Sequence, residues 1–252
     1  MTLPRRVLRR TLRLAYEALG RTSFGTVTSV ATERPMVALT FDDGPDPLWT
    51  PRVLDVLRSH GAKATFFVVG ENAERHPDVM QRIHAEGHGL GNHSQHHPSF
   101  PCIKASRRRR ELRACSAALA PFPQARRLFR PPHLDQSLAS RYDAWRLGYD
   151  VIACNRHARD WEERSGEEIE HDLNQQLRAG DIVLLHDVLF DRRDGSRAPL
   201  ITALDAVLRA QAGRLDFVTV AELLEAGRPR RALWLKPCRE RRSAVRDSVD
   251  ER

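Results

Sequence analysis

Nothing in the first twenty residues forms an uninterrupted apolar run long enough for a signal-peptide core or a membrane span, so the chain reads as a cytoplasmic protein. Cysteine is scarce: Cys102, Cys115, Cys154 and Cys238 never fall at C-x-x-C spacing, which excludes a zinc ribbon or thioredoxin motif and fits a reducing compartment. There is no internal repeat, no low-complexity linker and no marked second domain. No zinc-finger, RNA-recognition or helix-turn-helix pattern accompanies the basic charge, so nucleic acid ranks low as a partner.

Basic charge is abundant: 41 Lys+Arg oppose 33 Asp+Glu, a formal net charge of +8 in 252 residues. It gathers in "PRRVLRRTLRLAYEALGR" at the start, "RRRR" at Arg107 to Arg110 and "RPRRALWLKPCRERR" near the end. Such a rim can meet phosphate groups on lipid, glycolipid or nucleic acid, or simply be solvated. At helical spacing Leu8, Leu12, Ala15 and Leu19 share one face, with Arg5, Arg6, Arg9, Arg10 and Arg13 over the others. This suits a helix lying on an anionic membrane, at the inner membrane surface for a cytoplasmic protein; a terminal helix docked on its own domain explains it equally.

At this length one α/β domain is expected. Seven apolar runs, "MVALTF", "ATFFVVG", "HGLGN", "RLFRP", "YDVIACN", "DIVLLH" and "LDFVTV", read as strands. Helical segments separate them at 51–59, 73–86, 106–120, 137–147, 167–179 and 199–212. The alternation predicts a largely parallel sheet, open or closed into a barrel, with residues 1–30 and 228–252 as basic appendages to a domain at 31–227.

Polar clusters follow five of these strands: "DDGP", "NHSQHHP", "RPPH", "NRHARDW" and "HD". The carboxyl edge of a parallel sheet is where active sites are built. His93 and His97, four apart, have zinc-site spacing, although Pro98 favours an irregular turn over a helix there, and His96 competes as a ligand. With one carboxylate from Asp42–Asp43 they make a catalytic rather than structural metal set. The neighbouring acid is then free to accept a proton from water, and His186 is a candidate acid for the leaving group or else a neutral core histidine. Simple exposure is the competing account of the Asp-Asp pair.

"TFDDGP", "HSQHH", "RPPH", "RDW" and "LLH" resemble, in order, the five motifs of the polysaccharide deacetylases, the fourth carbohydrate esterase family with its NodB-like homology domain. The resemblance runs from about Pro35 to Ala226. It implies a single-domain, distorted (β/α) barrel of about seven parallel strands that removes acetyl groups from sugars. It implies Asp42 as general base, and Asp43, His93 and His97 as ligands to one divalent ion, zinc by default, with cobalt, nickel, manganese or iron also acceptable to a His2Asp set. Arg130 would pair with the base, Asp160 would orient His186 as general acid, and Trp161 and Leu184 would wall the acetyl pocket.

The third motif departs from the family, with His133 and Leu134 in place of an aromatic residue and glycine. A backbone N–H at His133 could still serve the oxyanion. Asn155 replaces an acid common upstream of the fourth motif. The expected activity is N-deacetylation of an acetylated sugar or lipid-linked glycan. The competing readings are an O-acetyl esterase or deformylase on a related sugar, and a non-catalytic member that binds glycans or anionic surfaces.

Overall fold

The computed structural model describes residues 18–122, 127–192 and 194–236. The expected amphipathic helix over residues 1–20 lies almost wholly outside them. Seven strands stand where the apolar runs put them: β2 (Met36–Asp42), β3 (Ala64–Val68), β4 (Gly89–Asn92), β5 (Leu128–Phe129), β6 (Asp150–Val151), β8 (Ile182–His186) and β9 (Asp216–Phe217). The short β7 (Arg156–His157) is an addition. The sheet runs in the order β6-β5-β4-β3-β2-β8-β7, β9 pairs with the start of β2, and every pairing is parallel. These strands curl into a distorted (β/α) barrel with helices around it.

The helices are α1 (Trp49–Ser59), α2 (Gly70–Arg75), α3 (Pro77–Ala85), α4 (Ala105–Leu119), α5 (Leu138–Arg146), α6 (Gly166–Gln176), α7 (Ala198–Ala210) and α8 (Val220–Glu225). The single helix expected over 73–86 is two, because Pro77 has no N–H to continue the ladder and instead occupies the first turn of α3. α6 starts on a capping box in which Ser165 and Glu168 satisfy each other's backbone N–H groups. Among the described residues no helix is long and apolar enough to cross a membrane.

Central strands are apolar along their whole length because both faces are covered. Val37, Leu39, Phe41, Phe66, Val183 and Leu185 join the core beneath the helices. Ala38, Phe67, Ile182 and Leu184 join the core inside the barrel. Burying a side chain such as Leu39 or Phe41 contributes about 1.5–3 kcal/mol. The period of two then places Thr40 and Asp42 on the inner face of β2 behind the small Ala38.

β1 (Thr26–Ala31) pairs antiparallel with β10 (Arg228–Ala232). β1 spans the boundary expected at 30/31, and β10 lies just beyond the one expected at 227/228. Val27 and Val30 are buried against the barrel, while β10 alternates exposed and half-buried residues, which is why it reads as a basic tail. Cys102 is disulfide-bonded, while Cys115 and Cys154 are free and buried.

Candidate active site

Register assembles the site. Asp42 lies opposite His186 on β8, and β4 ends on Asn92 opposite both Val68 and Phe129, so His93 and Arg130 leave their strands at one level. The chain turns after β2 at a cis Gly44–Pro45 bond. A Cβ on Gly44 would stand 2.1 Å from Asp187 Oδ2, so only glycine admits this approach. Asp187 accepts from the Gly44 N–H at 3.2 Å and from the Thr50 hydroxyl, and burial pushes its carboxyl up to about 7.

The adjacent acids have different partners. Asp42 Oδ1 accepts from Arg130 Nη1 at 2.7 Å. Arg130 is fully buried, lies over the Phe67 ring at 4.2 Å, and donates further to Thr40 Oγ1 at 2.6 Å and the Ala153 carbonyl at 2.9 Å. A buried guanidinium with this many acceptors is held as a fixed charge beside Asp42. Asp43 instead has φ 78°, sparsely populated for a residue with a side chain. Its Oδ1 stands 3.4 Å from His93 Nε2 and 3.1 Å from His97 Nε2, while Oδ2 accepts from the Phe190 N–H at 2.9 Å.

The His93–His97 turn is non-helical, as Pro98 led us to expect. Ser94 Oγ accepts from the His97 N–H at 3.0 Å, and both residues have positive φ. His96 turns away with its ring against Glu111 at 3.2 Å, which removes it from the ligand set. His93 Nδ1 lies 2.8 Å from the Arg130 carbonyl oxygen, an atom that can only accept. Nδ1 therefore carries a proton, and in the neutral ring, the form that ligates a metal, the Nε2 lone pair faces the Asp43 carboxylate. A divalent cation between these electron-rich atoms resolves their opposition, and the three ligand atoms lie within 4.8 Å of one another. The residues thus fit a metal ion.

Across the pocket His186 Nδ1 lies 3.1 Å from Asp160 Oδ1. The His186 backbone N–H donates to Asp160 Oδ2 at 2.9 Å. Arg197, buried and absent from any sequence motif, donates to Asp160 Oδ2, to the Asp160 carbonyl at 2.8 Å and to the His186 carbonyl at 3.0 Å. Burial opposes charge on His186, yet Asp160, and behind it Asp43 and Asp42, raise its pKa to about 9. The Asp160 carboxyl is lowered: burial works against this, but His186 and Arg197 prevail.

Asp42, Asp43, His93, His97 and His186 line one cavity of about 380 Å³, with Leu134, Trp161, Leu184 and Leu189 as apolar walls. His133 lines it too, its ring 4.5 Å from that of His97, at φ 56°. Trp161 meets the His186 ring edge-on at 5.6 Å. Lys236, placed in the tail by the sequence, lines the same cavity and donates to the His133 carbonyl. Asn155 lies away from the cavity, donating to Asp181 on one side and accepting from the Ile182 N–H on the other.

Residues 29–152 match the polysaccharide deacetylase family profile. A peptidoglycan-N-acetylglucosamine deacetylase of Bacillus cereus is 34% identical over 206 residues, covering 79% of this chain and 93% of the relative. The chain belongs to the polysaccharide deacetylase family. A chitooligosaccharide deacetylase of Sinorhizobium fredii is 37% identical over 167 residues, 64% of this chain and 76% of the relative. Among solved structures, a peptidoglycan N-acetylglucosamine deacetylase in complex with 4-naphthalen-1-yl-N-oxidanyl-benzamide superposes with a TM-score of 0.75 at 27% identity. It covers 88% of this chain and 99% of its own. A mutant of a family pseudoenzyme with restored enzymatic activity gives 0.72 at 25% identity, over 82% of this chain and 74% of its own. Polysaccharide deacetylases of this kind support carbohydrate N-deacetylation as the activity class.

Proposed function

We propose that this polysaccharide deacetylase is a metal-dependent hydrolase that removes the acetyl group from N-acetylglucosamine units of a glycan. One observation carries the reading: Asp42 and Asp43, adjacent in the chain, are committed to different partners, the first to Arg130 and the second to a pair of histidines. Asp43, His93 and His97 would hold one divalent ion, zinc by default. Such an ion supplies Lewis-acid polarisation of the acetyl carbonyl and eases deprotonation of the attacking water.

Asp42 takes the proton from that water, its Oδ1 anchored by Arg130 and its Oδ2 3.7 Å from His93 Nε2. The His133 backbone N–H serves as the oxyanion donor in this reading. Expulsion of the sugar amine needs a proton, and His186, charged through Asp160, delivers it. Leu184 and Trp161 offer an apolar surface to the acetyl methyl. The non-catalytic alternative is disfavoured because ligands, base and acid are all present.

The test is acetate release from N-acetylglucosamine oligomers, peptidoglycan, O-acetylated and N-formylated analogues. We expect turnover of the N-acetyl substrates that is abolished by a strong chelator and restored by zinc or cobalt. Full activity in chelator, or release from esters alone, would overturn the proposal.

A further inference from the structure

Three large side chains on α5 are unusually exposed: Leu138 at 50%, Tyr142 at 47% and Trp145 at 44%. Their spacing of four and three residues puts them in one stripe along the helix, about 10 Å from end to end. Tyr142 and Trp145 have ring centroids 6.1 Å apart, and Trp145 meets Phe24 at 6.1 Å. Tyr142 also lines a surface cleft with Arg109, Arg113 and Arg146. The one acid in that cleft, Asp143, is taken by Arg108 at 2.6 Å and Arg109 at 2.9 Å. Arg113 and Arg146 are exposed, and among the described residues neither guanidinium has a hydrogen-bonded or ionic partner.

An apolar stripe ending in Trp and Tyr beside uncompensated guanidinium groups matches the boundary of a phospholipid layer, where aromatic rings sit at headgroup depth and cations meet phosphates. Charge argues against two other occupants. Residues 1–17 carry five arginines and a single acid, so they have the same sign as the cleft. A second copy would present the same cationic face to its mate. α5 begins four residues beyond Leu134, which lines the active-site cavity.

We propose that the exposed face of α5, with the Arg109–Arg113–Arg146 cleft beside it, docks this protein on an anionic phospholipid surface. The arginines hold headgroup phosphates and Leu138, Tyr142 and Trp145 enter the interface. This surface is separate from the catalytic residues and does not depend on the proposed chemistry.

The test is flotation of the full chain with phosphatidylcholine vesicles, with and without about 30% phosphatidylglycerol, near physiological salt, where screening acts within roughly 8 Å. We expect binding to the anionic vesicles only. The double variant Arg113→Glu/Arg146→Glu should lower the partition coefficient at least twentyfold, since each charge near such a surface changes it roughly fivefold. It should keep wild-type acetate release from a soluble substrate and its melting temperature. Tyr142→Ser/Trp145→Ser should lower binding about tenfold; because Trp145 packs on Phe24, charge reversal decides the matter if that variant misfolds. Undiminished binding by the charge-reversed protein would assign the attraction to other arginines and overturn the proposal. So would equal binding to neutral vesicles, or binding of a short RNA with none to vesicles.

Discussion

On one wall of the cavity Asp42 and Asp43 stand against two imidazoles, and only Asp42 has a counter-cation. On the other, Asp160 is matched by both His186 and Arg197. The second wall is electrostatically complete from the chain's own residues. The first is not, since the His93 lone pair and the Asp43 carboxylate face each other at 3.4 Å. The difference teaches which half of the proposed chemistry would need a metal ion. On that proposal one wall would receive the cation, and the other would donate the proton with or without one.

Substitutions on the first wall should have the largest effects. His93→Ala should lose bound zinc and fall to background turnover, since two ligands hold a catalytic ion poorly. Asp42→Asn should keep the ion yet lose about 10²–10⁴-fold in turnover, because it removes only the base. Elemental analysis beside acetate release separates the two. Loss of metal from Asp42→Asn would erase the distinction between the acids.

On the second wall, His186→Ala should slow N-deacetylation by about 10²–10⁴-fold while affecting an activated acetate ester much less, because an amine cannot depart unprotonated. Zinc content should not change. Equal losses on both substrates would deny His186 the acid role.

The pH profile gives a smaller signal. His186 has its pKa raised to about 9 from an ordinary 6.5, so the acid form persists below that value and turnover declines as pH rises through it. A cation bound at Asp43 cancels that residue's share of the rise, placing the alkaline limb at or below about 9. Asp160→Asn should move the limb down toward 6.5. Arg197→Met should move it up, since a positive charge leaves the vicinity of the imidazolium, with roughly a tenfold fall in turnover from lost positioning. Rates between pH 6 and 10 show both shifts, and an unmoved limb in both variants would detach these residues from His186.

The first wall is legible in the sequence because its parts are local. "DDGP" and "HSQHH" each sit within one turn after an apolar strand, and parallel register brings their strands together. The seven strands were likewise readable, each being a short apolar run between helical segments. Arg197 was hidden because nothing in "GSRAPL" marks an arginine that reaches back 37 residues to Asp160. β10 was hidden because an edge strand with alternating exposed arginines looks like a solvated tail. Asp187 stood beside His186 in plain view, yet its buttressing of Gly44 depends on a contact 143 residues away.

The pairing of β1 with β10 also bears on how the chain is made. Thr28 reaches Arg230 across 202 positions, and Lys236, which lines the cavity, pairs with Gln136. At ribosomal speeds of about 5–20 residues per second, β1 waits at least some ten seconds for its partner. The row of backbone donors and acceptors that faces β10 is unpaired for that time. β2 to β5, with the turns that carry both acids and both histidines, have meanwhile emerged. Assembly therefore proceeds from the cation-receiving side outward, and the rim carrying Lys236 is the last part of the catalytic pocket to be built.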